Sequence, residues 1–166
     1  MENTNNSLTA VAAQEGSIVS VVGDTYRIVI GSEQTNGAYA LIDMLIPTKG
    51  GPGPHSRANF QEAFYVIDGE IKVITKEKRY TATKGSYVNI SFNGPVHKFT
   101  NKTDKTARVL CLTTSTGMQK MFEEIGKPVA ADTFLPPSQM TPEEQKQFQS
   151  IAEKHGQKLY PPDYLD

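Results

Sequence analysis

The sequence predicts an all-β barrel or sandwich. Two observations carry that prediction. Between residues 17 and 114, short runs rich in β-branched and aromatic residues alternate with Gly, Pro, Asn and Asp. Helix-period patterning is confined to the residues after 117. Many short strands with closely spaced turns fit two packed sheets or a closed barrel, and closure removes the exposed edges that invite aggregation.

The strand-like runs are 17–22, 26–30, 38–46, 63–67, 71–75, 79–83, 87–91, 97–101 and 108–114. Asp68-Gly69 lies between two of them and reads as a hairpin turn, since this pair tolerates the left-handed backbone that a tight hairpin requires. Lys84-Gly85 and Asn93-Gly94-Pro95 punctuate the next connections. The chain then divides into a disordered lead (1–16), a barrel (17–116) and a C-terminal helical and extended segment (117–166). In that last segment Met118, Met121, Phe122 and Ile125 share one face of a short helix, ended by Gly126 and Pro128. Residues 130–138 are proline-rich and expected to be extended. Thr141-Pro142-Glu143-Glu144 is a capping box with proline at the first helical position, and the helix it opens should run to about His155, with Gly156 as its stop. Its narrow apolar stripe, Phe148, Ile151 and Ala152, suits the outside of a barrel or a partner subunit. The tail 159–166 is expected to be extended and docked.

Seventeen basic residues against 18 acidic ones give a formal net charge of −1, which supplies no electrostatic reason for a nucleic acid or membrane partner. No apolar run approaches the roughly 20 residues of a membrane-spanning helix. Residues 1–16 carry no lysine or arginine and no apolar stretch of secretory-signal length, and the single cysteine excludes an intramolecular disulfide. The expectation is a cytoplasmic, reducing location. Cys111, between Leu110 and Leu112, reads as a buried, inert thiol.

The chain has three histidines, His55, His97 and His155. Side chains alternate faces along a strand, so Glu62, Phe64 and Val66 share one face, and His97, Phe99 and Asn101 share another. With those faces inward, a carboxylate and an imidazole enter the same barrel, and His55 arrives from the neighbouring Pro-Gly segment. Two imidazoles and a carboxylate make a facial triad with open positions, suited to non-haem Fe(II) and acceptable to Mn, Ni or Zn. On this reading His55, Glu62 and His97 hold the divalent metal, and Glu62 and His97 carry the chemistry. Phe64, Tyr87 and Phe99 add pocket lining to their packing role. Asn101 is as well explained by turn satisfaction. Gln61 points away from Glu62, His155 favours the helix dipole, and residues 76–79 form a solvated hairpin tip.

Residues 51–70, GPGPHSRANFQEAFYVIDGE, resemble the first motif of the cupin family: glycine, a short gap, His-x-His, three or four residues, Glu, six residues, Gly. Residues 85–101 resemble the second motif, with Gly85, Gly94, Pro95, His97 and Asn101 in the matching places. The resemblance covers about 38–114 and continues into 117–128, similar to the segment after the barrel in small quercetin-dioxygenase-like bacterial cupins. It implies a cupin double-stranded β-helix, a jelly-roll-like barrel with short C-terminal helices, and a metal held by three histidines and one glutamate. Carried over, that set is His55, Glu62 and His97, with Arg57 where the second histidine of the first motif belongs. A guanidinium stays protonated and offers only donors, so Arg57 cannot be a ligand.

Three arrangements follow: a His2Glu centre with its vacated position filled by water or substrate; an Arg57–Glu62 ion pair in a metal-free pocket; or Arg57 as a bidentate clamp on an anionic ligand. The resemblance implies a metal-dependent dioxygenase acting on a small organic, aromatic or enolic substrate such as a flavonoid. The rivals are a metal-free ligand-binding cupin, with Arg57 holding an anion, and a metal-independent isomerase or epimerase, with Tyr87 or Tyr65 as its acid. It also implies a homodimer formed through the helical stripe and the 160–165 tail.

Overall fold

A computed structural model describes residues 7–114, 117–137 and 139–166. Residues 1–6 of the expected lead, residues 115 and 116 and Ser138 lie outside the described set. The strands are β1 (Ser17–Val21), β2 (Asp24–Ile30), β3 (Tyr39–Ile46), β4 (His55–Arg57), β5 (Gln61–Asp68), β6 (Glu70–Ile74), β7 (Arg79–Thr83), β8 (Tyr87–Ile90), β9 (Lys98–Thr100), β10 (Ala107–Thr114), β11 (Lys127–Pro128) and β12 (Gln157–Leu159). Helices α1 (Met118–Ile125) and α2 (Pro142–Lys154) follow the barrel.

The larger layer is a seven-stranded sheet in the order β11-β1-β2-β3-β10-β5-β8. A three-stranded sheet, β7-β6-β9, and a two-stranded sheet, β12-β4, face it. An antiparallel bridge between His55 and His97 joins these two, so the second layer reads β7-β6-β9-β4-β12. Every strand pairing is antiparallel, and the two inner faces close on each other as a jelly-roll barrel.

The core follows the period-2 alternation of these strands. Ile42, Met44 and Ile46 of β3, Phe64 and Val66 of β5 and Val109 and Cys111 of β10 are buried in one cluster. Cys111 is fully buried, and burial pushes its thiol pKa well up, so the reading as an inert core residue holds.

The Asp68-Gly69 turn differs from expectation. It joins no hairpin, because both edges of β5 are already taken, by β10 and β8, while β6 pairs with β7 and β9. The turn instead passes the chain from one layer to the other. Gly69 has φ +73°, and a Cβ there would lie 2.9 Å from Ala107 Cα, so the corner requires glycine.

Helix α1 occupies the expected range, and α2 has the expected capping box, with Gly156 (φ +78°) after its end. The stripe on α2 is used within the chain: Ala152 is buried, Ile151 packs on the core cluster, and Phe148 lines a cavity. The tail departs from a simple extended strap. It adds β12 to the edge of β4, then turns, and Leu165 is buried while Arg79 donates to its carbonyl. No helix among the described residues is long and apolar enough to cross a membrane.

Candidate metal centre and cavity

Three strand segments bring the sequence-predicted ligands together. His55 and Arg57 sit two apart on β4, so both point inward and Ser56 does not. His97, just before β9, exchanges both backbone hydrogen bonds with His55, at 3.0 and 2.9 Å, which makes the two imidazoles cross-strand neighbours with ring centroids 4.4 Å apart. Glu62 enters from the opposite layer on β5, flanked by Thr113 of β10 and Ile90 of β8. All three side chains are buried.

The orientation of the two rings is fixed from behind. His55 Nδ1 lies 2.9 Å from the Gly53 carbonyl and His97 Nδ1 3.0 Å from the Pro95 carbonyl. A carbonyl can only accept, so each Nδ1 carries a proton and each Nε2 is turned to the centre, where it offers a lone pair when the ring is neutral. Glu62 Oε1 stands 2.8 Å from His97 Nε2 and 3.9 Å from His55 Nε2. Yet Oε1 and His97 Nε2 are both buried without an aligned hydrogen-bond partner. The contact sets two electron-pair donors against each other, which is unfavourable unless a proton or a cation lies between them. One ligand atom from each residue lies within 4.8 Å of the others, so the donor set fits a single metal ion.

Arg57, two residues after His55, does not aim at this point. Its Nη1 donates to Glu62 Oε2 and its Nη2 to Gln157 Oε1 on β12, so both terminal nitrogens are engaged inside the protein. The burial of Glu62 pushes its carboxyl pKa up, but the Arg57 guanidinium and the close approach of His97 outweigh that and hold it well below the usual carboxylate range. Burial, Arg57 and His97 push the His55 imidazole down to about 3, so it is neutral and free to ligate.

A cavity of about 240 Å³ adjoins this cluster. Phe64 and Phe99, packed edge-to-face at 5.1 Å, line it beside Met44, Met118 and Met121, and its polar rim includes His55, Arg57 and Glu62. Tyr87 is a correction. It is 62% exposed on β8, opposite Tyr65, which also faces outward, because the alternation that turns Glu62 and Phe64 inward turns their odd-numbered neighbour outward. Neither tyrosine reaches the cavity. Asn101 is a turn residue: its amide donates to the Ile46 and Lys105 carbonyls, and its oxygen accepts from Thr103. His155 lies outside the centre and contacts Glu124 at 2.7 Å.

The cupin-domain family model matches residues 42–113. The fold is that of a cupin barrel. No curated protein matches the chain. Among solved structures, KdgF from Halomonas sp. superposes with a TM-score of 0.59 at 13% identity, covering 69% of this chain and 99% of that one. The polyketide cyclase RemF from Streptomyces resistomycificus gives 0.56 at 13% identity over 90% and 99%. Ectoine synthase from P. lautus gives 0.54 at 20% identity over 76% and 90%. At such identities the likeness is one of fold.

The sequence reading missed Gln157, Asp24 and Tyr26, all of which line the cavity. Gln157 carried no local signal, since only the docking of β12 on β4 brings it to Arg57. Asp24 and Tyr26 did carry one. They alternate with Ile28 in a run that the sequence reading began only at Tyr26, and all three are buried.

Proposed function

We propose that this cupin is a metal-dependent enzyme of the dioxygenase type, holding a divalent transition metal through His55, Glu62 and His97 and binding a small aromatic or enolic substrate in the adjoining cavity. The observation that carries the reading is the convergence of two imidazole Nε2 atoms and a carboxylate oxygen, with both Nδ1 atoms tied back to carbonyls. When bound, the metal supplies open coordination positions and Lewis acidity for dioxygen or a chelating substrate. The residues of the chain do the rest. His55 and His97 are held in one tautomer, Arg57 fixes Glu62 with Oε1 turned toward the imidazoles, and the aromatic and thioether walls exclude water from the substrate.

A second reading is favoured by the Arg57–Glu62 contact itself. In a metal-free ligand-binding cupin, the guanidinium takes over the charge compensation of Glu62 that a cation would supply.

Elemental analysis of untagged protein purified without chelator separates the two. The metal reading expects near-stoichiometric Fe, Mn, Ni or Zn in the wild type and a drop of about tenfold or more in His97→Ala. It also expects tighter binding in Arg57→His, which returns a third imidazole. Absence of metal from wild type and Arg57→His alike, even after reconstitution, would overturn it. Dioxygen uptake by the loaded protein with catechol or quercetin tests the oxygenase part, and metal binding without uptake on either compound removes that part.

A further inference from the structure

Apart from the histidine–glutamate cluster, the cavity is lined by a second ionisable pair, Asp24 and Tyr26 on β2. Asp24 is 2% exposed and Tyr26 3%. The Tyr26 hydroxyl donates to Asp24 Oδ2 at 2.9 Å, and the Gly51 N–H donates to Oδ1 at 3.1 Å. The Tyr26 ring is packed edge-on against Phe122 of α1 at 5.0 Å, which fixes the direction of its hydroxyl. Among the described residues, no lysine, arginine or histidine forms an ion pair with Asp24. The other ionisable groups around the pair are Arg57 of β4 and Cys111 of β10, both of which act on Tyr26, and Glu62 of β5, which faces the same cavity.

A carboxyl group buried among rings and thioethers, with two neutral donors and no countercharge, is better matched to its neutral form. Burial pushes Asp24 up to about 7 against the smaller opposing effects of Tyr26 and Gly51. This is the reverse of Glu62, which Arg57 keeps ionised. Two carboxyl groups on one cavity with opposite charge preferences are the arrangement in which acid and base roles divide.

We propose that Asp24, steadied by Tyr26, is a proton-donating site of this cavity, distinct from the metal centre, for a small, largely apolar ligand carrying a carbonyl, enolate or phenolate oxygen. In the transfer, the O–H bond of the Asp24 carboxyl breaks as an O–H bond forms on the ligand oxygen. The carboxylate left behind is stabilised by the Tyr26 hydroxyl and the Gly51 N–H. It recovers a proton from the product or from water entering the cavity. The acid sought at Tyr87 or Tyr65 is thereby supplied from β2. The Gly51 contact also ties down the loop before β4, and a purely structural Asp24 would serve that purpose ionised or neutral.

The test uses the full chain, free of metal, with diisopropylcarbodiimide, an apolar reagent that adds to protonated carboxyl groups, read by peptide mass spectrometry. Asp24 is expected to be labelled at pH 6 on the order of tenfold or more above pH 9, with Glu62 unlabelled at both. Carboxyl carbon NMR of the same protein should place the Asp24 titration near neutral. Tyr26→Phe should move it higher, because the lost hydrogen bond favoured the carboxylate; this readout survives should Asp24→Asn fold poorly. Titration of Asp24 in the ordinary acid range, indifference of that titration to Tyr26→Phe, or failure of the reagent to reach Asp24 at any pH would each overturn the proposal. Since no metal is present, these outcomes leave the metal reading to its own experiment.

Discussion

Arg57→Met is expected to destabilise the metal-free protein by about 3–5 kcal/mol at neutral pH, because it strands a carboxylate inside the barrel. Glu62 is 2% exposed, and Arg57 is the cation that holds its Oε2. In the wild type its folded-state pKa lies below its unfolded one. The stability contributed is therefore fully present above the ordinary glutamate range, near 4.5, and is lost as the pH falls below it. In the variant the sign reverses: without the guanidinium, burial raises the Glu62 pKa and acidification helps the fold. The gap between wild type and variant should narrow from pH 7 to pH 4 in urea unfolding with chelator present. Pairing the change with Glu62→Leu should recover most of the loss, since a buried ion pair replaced on both sides by apolar groups is often neutral. A loss under about 1 kcal/mol at pH 7 would show that the pair does not compensate Glu62.

Asp24→Asn is expected to act in the opposite direction, removing a penalty at alkaline pH. The folded-state pKa of Asp24 is about 7 against an ordinary 3.8, so the native chain binds this proton more tightly than the unfolded one. The stabilising contribution is present below the unfolded value and is lost as the pH rises through about 7. About three pH units at ~1.4 kcal/mol each amount to roughly 4 kcal/mol between pH 4 and pH 8. Asparagine stays neutral throughout, so the variant lacks this contribution: its unfolding free energy should lie close to that of wild type at pH 4 and above it by several kcal/mol at pH 8.5. An unchanged slope in the variant would mean that Asp24 is not the group that titrates.

These two residues mark the limits of what could be read before the fold was known. Glu62 was legible because strand alternation named its face and the two motifs its partners, His55 in the first and His97 in the second. The sequence left the partner of Arg57 open; in the structure it pairs with Glu62, and Gln157 of β12 engages the second guanidinium nitrogen across 100 positions of sequence. Tyr87 was placed in the pocket because aromatic content alone does not report a strand's facing. Its register against Tyr65 does, and turns it to solvent. The Asp68-Gly69 corner shows the same limit, since a dipeptide specifies a reversal of the chain but not which strand edges remain free to receive it.

By itself the sequence determined the β-rich class, the two helices with their caps, and the inward face of each strand that carries a ligand, because these depend on spacing of two or about 3.6 residues along a local segment. The tertiary structure decided which faces meet. It brought β4 and His97 together by a single bridge, laid the C-terminal tail on β4, and buried Asp24 without a countercharge. Those outcomes rest on pairings between distant segments and on exclusion of water by the closed barrel, and neither quantity is carried by any local run of residues.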